Sequence, residues 1–185
     1  ENLITAIEIA AAKNPDGTAI VPEVCIFFEN HLLRGNRTTK INAENFNAFR
    51  SYNYPLHATA GNHIKYEHDK IHKPDPTLPL KPYYLYDTNV IVLTLFPGIQ
   101  ENIIRNILHT PGLRAVVLKT YGAGNAPQKP WFIKLLKEAT ERGIVIVNIS
   151  QCLTGMVEMG LYETGLHLLD AGVISGYDST VEALI

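Results

Sequence analysis

The pattern of apolar and polar positions predicts a helix and then a strand hairpin in the first part of the chain. Apolar residues recur near the start at a spacing that places them on one face of a helix: Leu3, Ile4, Ile7, Ala10 and Ala11. The dense apolar run at residues 24–28 is typical of a buried strand. A tight turn at residues 29–31 then leads into a return strand that begins with Leu32 and Leu33. We therefore expect a hairpin that is anchored in a core.

Two weaker patterns follow the hairpin. Residues 42–49 predict a short helical turn in which Asn42 is the N-cap and both Phe46 and Phe49 face inward. Residues 63–67 alternate weakly between apolar and polar side chains, which indicates an edge strand.

A change of composition separates the two parts of the chain. Residues 69–82 are rich in proline, which removes backbone donors, and in lysine, which keeps the segment solvated. We therefore expect an interdomain linker at residues 73–89, between a first domain at residues 1–72 and a second domain at residues 90–185.

The second part repeats one plan, in which short apolar strands alternate with amphipathic helices. Strands are predicted at residues 90–96, 115–118 and 144–149, and helices at residues 99–108, 131–139 and 165–169. Asp178 and Ser179 precede Glu182, which can cap a final helix reciprocally. This alternation is typical of a parallel sheet with right-handed crossovers, in which ligands bind beyond the carboxyl ends of the strands. Those ends are residues 96–98, 121–125 and 150–152.

Composition and charge argue against several classes of function. The chain has 185 residues, of which 46% are hydrophobic, and this is enough for an ordinary globular core. Its net charge of −2 gives no electrostatic case for binding nucleic acid or an anionic membrane. The longest apolar run, at residues 90–96, is too short to span a bilayer.

Neither the cysteines nor the histidines have the spacing of a metal site. Cys25 and Cys152 lie in or beside predicted strands, where a free thiol is common, and they form no disulfide framework. Four histidines occupy an irregular region that offers no fixed scaffold for a metal ion: His57, His63, His68 and His72. We therefore predict no metal here.

The stretch from Arg34 to Lys40 concentrates polar donors, with two guanidinium groups, one ammonium group and two hydroxyls. A lysine beside other cations loses its proton more readily, so Lys40 is a candidate for activating a hydroxyl or placing an anion. The alternative is a solvated basic turn. Asn125 also has two interpretations: a turn residue, or an amide at a strand end that binds the ammonium and carboxylate of an amino acid.

Several motifs resemble the bacterial L-asparaginases, and the cytoplasmic type I branch in particular. They are RGNRTTK at residues 34–40, the asparagine- and aromatic-rich residues 46–55 with Gly61, KTYGAGNAPQ at residues 119–128, and NISQC at residues 148–152. They follow the family's order over essentially the whole chain. The resemblance implies a two-domain α/β asparaginase-like fold, in which a partial N-terminal α/β domain precedes a Rossmann-like C-terminal domain with a parallel sheet.

The resemblance also implies a reaction, the hydrolysis of L-asparagine to L-aspartate and ammonia by a threonine nucleophile without a metal or organic cofactor. Lys40 matches a lysine that works with a second threonine and can relay its proton. Asn125 matches an asparagine that reaches the substrate from a neighbouring subunit. The implied partners are the small molecule L-asparagine and further copies of the chain, as a homodimer or a dimer of dimers, in the cytoplasm.

The type I branch further resembles proteins with a separate asparagine-binding allosteric site between subunits. The positions that match this site are Thr39, Lys119, Asn125 and Cys152. Lys119 departs from the family pattern, which has arginine there, and a point charge in place of a bidentate fork should weaken the capture of a carboxylate. Cys152 has an equal alternative as a buried small hydrophobe.

No glycine-rich turn with a nucleophilic threonine occurs in the sequence, and no Thr-Asp pair follows one. We therefore expect these residues to be an excerpt of a longer enzyme that is inert alone. Two alternatives stay open. One is the amidase subunit of a tRNA-dependent amidotransferase, which the lack of a basic stripe disfavours; the other is a non-catalytic asparagine-sensing homologue.

Overall fold

The chain divides into two compact units in a computed structural model, which describes residues 2–160 and 163–185. The first unit ends at Tyr83 and the second begins at Tyr84. The predicted bounds of the domains and of the linker, residues 73–89, stay predictions.

The first unit is built around a small antiparallel sheet. It contains helix α1 (Asn2–Ala11) and six strands: β1 (Cys25–Phe28), β2 (His31–Arg34), β3 (Thr39–Lys40), β4 (Phe49–Arg50), β5 (Ala58–Ala60) and β6 (Ile64–Tyr66). Four strands form an antiparallel sheet in the order β1-β2-β5-β6, while β3 and β4 form a separate antiparallel ribbon. The predicted hairpin and edge strand are therefore confirmed.

The turn predicted at residues 29–31 is formed by two residues, and His31 already belongs to β2. Glu29 and Asn30 both have positive φ, at 46° and 63°, as the type I′ turn of a two-residue hairpin requires. This turn places Phe28 opposite His31 in the register. It leaves Leu32 buried in a small core with Ile9 and Ala58.

Two expectations for the first unit are corrected by the structure. Residues 42–49 do not form a helical turn, because the Asn42 side-chain oxygen accepts hydrogen bonds from the amides of Glu44 and Asn45 and closes a local turn instead. Phe46 is 82% exposed rather than inward-facing. Helix α1 forms as predicted, but within the described residues its apolar stripe faces outward, with Ile4 72% exposed, and Ile9 is its buried residue.

The second unit has the predicted alternation of strands and helices, together with a short last strand at residues 174–175 that was not predicted. Its elements are β7 (Val90–Thr94), α2 (Glu101–Leu108), β8 (Ala115–Thr120), α3 (Pro130–Glu141), β9 (Val145–Ser150), α4 (Glu163–Asp170), β10 (Ile174–Ser175) and α5 (Val181–Leu184). The strands pair in parallel in the order β10-β9-β8-β7. The α/β fold class and the parallel sheet of this part are confirmed.

The core of this unit lies where α3 covers the sheet. The buried face of the helix is formed by Phe132, Leu135, Leu136 and Ala139. These residues share one cluster with Val116 and Leu118 of β8 and Ile146 of β9. The helix therefore holds the central strands in place, and with them the loops at their carboxyl ends.

The last helix, α5, is capped by a threonine. Thr180 is its N-cap, and the Thr180 hydroxyl oxygen accepts a hydrogen bond from the Ala183 amide. The N-cap therefore lies within the cap motif predicted at residues 178–182. Across residues 2–160 and 163–185, the helices are too short or too polar to cross a membrane.

Candidate functional site

The loops at one edge of the parallel sheet bring three of the candidate residues onto the same side of the second unit. Lys119 pairs with Thr94 on one side and with Ile149 on the other, so β7, β8 and β9 end at a common edge. Asn125 lies in the loop that follows β8, and Cys152 lies in the loop that follows β9. This edge is where parallel sheets bind ligands.

A closed turn holds the backbone of Asn125. The Asn125 amide donates to the Tyr121 carbonyl at 2.8 Å, and the Tyr121 amide donates to the Asn125 carbonyl at 2.9 Å. The turn needs glycine at position 124, where φ is +110° and an added Cβ would lie 2.8 Å from Cγ1 of buried Val157. Asn125 is thus both a turn residue and a residue with a half-buried amide at the strand end.

A buried pair of polar side chains lies beneath this turn. Both Thr120 and Asn148 have an exposed fraction of 0%, and the Thr120 hydroxyl donates to Asn148 Oδ1 at 2.7 Å. The Asn148 amide nitrogen lies 3.5 Å from the Gly124 carbonyl oxygen, at the long end of the range for a hydrogen bond. The pair therefore joins the ends of β8 and β9 to the Asn125 turn. Because a buried amide is costly unless it is hydrogen-bonded, these contacts stabilise the arrangement.

The loop after β9 is tied to its neighbours through Ser150 and Gln151. The Ser150 hydroxyl donates to the Gly122 carbonyl at 2.6 Å and accepts from the Cys152 amide at 2.9 Å. The Gln151 amide nitrogen donates to the carbonyls of Leu95 and Lys119, at 2.7 and 3.0 Å, and so bridges β8 and the residue that follows β7. The loops that carry the candidate residues therefore form one connected layer.

The side chains of Lys119 and Cys152 differ in exposure. Lys119 is half-buried near the end of β8. Cys152 is exposed, so its interpretation as a buried small hydrophobe is wrong. A ligand contact by Cys152 stays a prediction.

The other two candidates, Thr39 and Lys40, belong to the first unit. They form β3, in which Thr39 pairs with Arg50 and Lys40 pairs with Phe49. Thr39 is half-buried, whereas Lys40 is exposed with its Nζ atom 5.9 Å from the centre of the Phe49 ring. The exposed ammonium group of Lys40 is accessible within this unit, and its catalytic role stays a prediction.

The start of the RGNRTTK motif is held by a charge cluster that sequence reasoning missed. Arg34, at the end of β2, donates from Nε and Nη2 to the two carboxylate oxygens of Glu23. Its guanidinium also lies over the Tyr54 ring, 4.2 Å from the centre. Residues 35–37 then form a single 3₁₀ turn that leads to β3. The bidentate contact between Arg34 and Glu23 therefore anchors the segment that ends in Lys40.

The carboxylate of Glu23 collects further partners. It accepts a hydrogen bond from the His72 amide, and the Nε2 atom of fully buried His57 lies 3.2 Å from Glu23 Oε1, out of line for a hydrogen bond. Burial works to raise the pKa of Glu23, but Arg34, the His72 amide and His57 outweigh it and hold the pKa at about 2. The sequence did offer a signal for this ion pair. Glu23 lies just before an apolar strand, and Arg34 ends the strand that pairs with it.

His57, one of the histidines considered as a metal ligand, has an aromatic and an acidic neighbour. Among the described residues, no three histidine, cysteine, aspartate or glutamate side chains come together to hold a metal ion. His57 instead packs edge-on against Tyr54, with ring centres 5.8 Å apart. The Nε2 atom of His57 lies beside the Glu23 carboxylate.

Comparisons with known proteins cover both units. Residues 1–72 match the family model described as asparaginase, N-terminal, and residues 89–185 match the glutaminase/asparaginase C-terminal domain. L-asparaginase 1 of Escherichia coli K12 is 43% identical over 189 aligned positions that span 100% of this chain and 52% of that protein. The human 60 kDa lysophospholipase is 42% identical over 185 positions, which span 100% of this chain and 31% of the human protein.

A solved structure shows the same fold. The crystal structure of L-asparaginase I from Vibrio cholerae matches with a TM-score of 0.87 and 43% identity, over 98% of this chain and 53% of that one. The chain thus spans about half the length of the bacterial relatives that it matches. Since both family models match in the expected order and together cover nearly all of its residues, the chain belongs to the asparaginase family.

Proposed function

We propose that the complete protein containing this chain is an L-asparaginase, which hydrolyses L-asparagine to L-aspartate and ammonia. The observation that carries the proposal is the 43% identity to an E. coli L-asparaginase over the whole chain. The connected polar layer around Asn125 supports it, because it presents amide and hydroxyl groups where a parallel sheet receives a small polar ligand.

Lys40 is proposed to relay a proton between a threonine hydroxyl and the leaving ammonia. The ribbon pairing of β3 with β4 fixes its backbone, and the fork between Arg34 and Glu23 anchors the preceding strand. Both features fix the backbone from which the Lys40 side chain extends, and a general acid–base group must come within hydrogen-bond reach of its partner.

The proposal extends to assembly, regulation and location. A two-fold assembly would let Asn125 of one subunit reach the substrate of another. A second site for asparagine would use Thr39, Lys119, Asn125 and Cys152, and the lysine at position 119 should make it weaker than a site with arginine. The proposed location of the protein is the cytoplasm.

The test is ammonia release by the full-length protein that contains these residues. We expect release from L-asparagine, and a loss of at least about 100-fold in kcat for Lys40→Met, as is common when a proton-transfer group is removed. Lys65→Met is the matched control, because Lys65 is an exposed lysine on β6 of the same unit. Its kcat should stay within about twofold of the unmodified protein, since exposed ion pairs contribute little.

Two results would contradict the proposal in different ways. A Lys40→Met protein with unchanged kcat would remove the role given to Lys40 while leaving the activity in place. A protein that releases no ammonia from L-asparagine but releases fatty acid from lysophosphatidylcholine would contradict the proposed reaction itself. Measuring both products in parallel separates these outcomes.

A further inference from the structure

The amide of Asn125 has a partner from a distant part of the second unit. The Thr164 hydroxyl on α4 donates to Asn125 Oδ1 at 2.7 Å, across 39 positions of sequence. This contact is part-buried, and a hydrogen bond in such a place is less weakened by water than an exposed one.

The backbones on both sides of this bond are held by one short segment, residues 157–159. Val157 packs against Gly124, and the Glu158 amide donates to the Ala123 carbonyl at 3.0 Å. Met159 is in backbone contact with Gly165 of α4, so close that an added Cβ at Gly165 would lie 2.2 Å from the Met159 carbonyl oxygen. The three consecutive residues thus set the distance between the Asn125 turn and the helix that carries Thr164.

In the structure this bond engages the oxygen end of the Asn125 amide. A side-chain amide has one acceptor oxygen and one donor nitrogen on opposite arms of a planar group. With the oxygen directed at the Thr164 hydroxyl, the nitrogen is the arm available on the other side. A freely rotating amide would present either arm and would lose freedom on binding.

We infer that Thr164 is a positioning residue, which orients Asn125 so that its Nδ2 group donates to an acceptor on the ligand, namely a carboxylate. The inference rests on the proposed function in one respect, that Asn125 contacts asparagine. It goes further because it assigns a direction to the amide and names the residue that sets this direction. Thr164 itself does not touch the ligand.

The first experiment is a double-mutant cycle in the full-length protein, with the half-saturating concentration of L-asparagine as the readout. Thr164→Val, which keeps the shape but removes the hydroxyl, should raise this concentration about fivefold to tenfold and change kcat by less than about twofold. Thr164→Ser, which keeps the hydroxyl, should stay within about twofold of the unmodified protein. In an Asn125→Ala background, Thr164→Val should add less than about twofold.

The cycle separates orientation from a merely structural role. If Thr164→Val has the same effect in the Asn125→Ala background, the threonine acts on the fold and the inference is overturned. An unchanged half-saturating concentration in Thr164→Val, with Asn125 intact, also overturns it.

A second readout does not need the proposed activity. In protein labelled with ¹⁵N at asparagine side chains, the Asn125 NH₂ signals are identified by their loss in Asn125→Ala. Thr164→Val should shift or broaden these signals, whereas Thr164→Ser should preserve them. If the unmodified protein does not act on asparagine, the proposed function fails alone, and unchanged NH₂ signals in Thr164→Val would overturn the inference.

Discussion

The charge cluster around Glu23 predicts a measurable loss of stability when its carboxylate is neutralised. Glu23→Gln keeps the size of the side chain but removes the charge that faces Arg34 and the nearby His57. The arginine would then lie beside a neutral amide and keep part of its desolvation cost. The first unit should therefore open more readily around the segment that ends at His72.

The size of the effect follows from the pKa of Glu23. The ordinary value is 4.5 and the value in the fold is about 2, which at about 1.4 kcal/mol for each pH unit corresponds to at most about 3.5 kcal/mol. The Glu23 side chain is only 10% exposed, so solvent screens this interaction little. A loss of about 2–3 kcal/mol means that local opening becomes roughly 30- to 150-fold more frequent.

The direction of the pH dependence follows from the same values. Because the pKa in the fold lies below the ordinary one, the stabilisation is complete above about pH 4.5 and is lost as the pH falls toward 2. Hydrogen–deuterium exchange of peptides covering residues 57–72 measures this stabilisation. The His57 amide donates to the Leu32 carbonyl, and the His72 amide donates to Glu23 itself, so both amides report on local opening. Glu23→Gln should exchange faster at pH 7, and the difference from the unmodified protein should shrink below pH 4.5.

The control is Glu67→Gln in the same unit. Glu67 pairs with Lys65 at 3.1 Å, but the two side chains are 43% and 81% exposed, so the change in opening free energy should stay below about 0.5 kcal/mol. If Glu23→Gln changes exchange at pH 7 no more than Glu67→Gln does, the argument from buried charge is refuted. A difference that stays constant from pH 6 to pH 3 would refute the pKa assignment.

Two further predictions concern the second unit and the thiols. Gly165→Ala should lower the free energy of unfolding, measured by urea titration, by about 1–3 kcal/mol, because its Cβ would overlap the Met159 carbonyl. The control is Gly160→Ala, whose Cβ meets open space, and its free energy of unfolding should stay within about 1 kcal/mol of the unmodified protein. A disulfide reagent at pH 8 should modify exposed Cys152 well before Cys25, because burial raises the pKa of Cys25 to about 11; equal rates would contradict this.

The elements of the second unit could be predicted from the sequence because local pattern and tertiary packing agree there. The stripe on α3 has the spacing of a helix, and Phe132, Leu135, Leu136 and Ala139 are the residues that the sheet buries. The apolar runs of β8 and β9 lie at the centre of a parallel sheet, where strands need apolar residues on both faces. In contrast, the apolar stripe of α1 predicts a helix but does not predict whether that face is buried, and Ile4 of this stripe is exposed.

The prediction of a helical turn at residues 42–49 is wrong because contacts outside the local pattern decide the backbone there. Helical spacing of Phe46 and Phe49 suited a helical turn, but the Asn42 side chain binds two nearby amides and Phe49 pairs with Lys40 across the ribbon. A side chain that competes for local amides and a strand partner nine positions away together outweigh a short helical pattern, since a helix of two turns has little stability of its own.

The sequence by itself determined the α/β class, the first three strands of the second unit and the helices between them, a tight turn at residues 29–31, and the motifs that assign the family. These features depend on neighbours within a few positions, where periodicity, turn chemistry and motif spacing act directly. The tertiary structure alone decided that Glu23 faces Arg34, that Asn148 lies under the Asn125 turn, and that the Thr164 hydroxyl donates to Asn125 Oδ1. Those contacts join residues 11 to 39 positions apart, and which polar groups meet at such separations is set by how strands and helices pack.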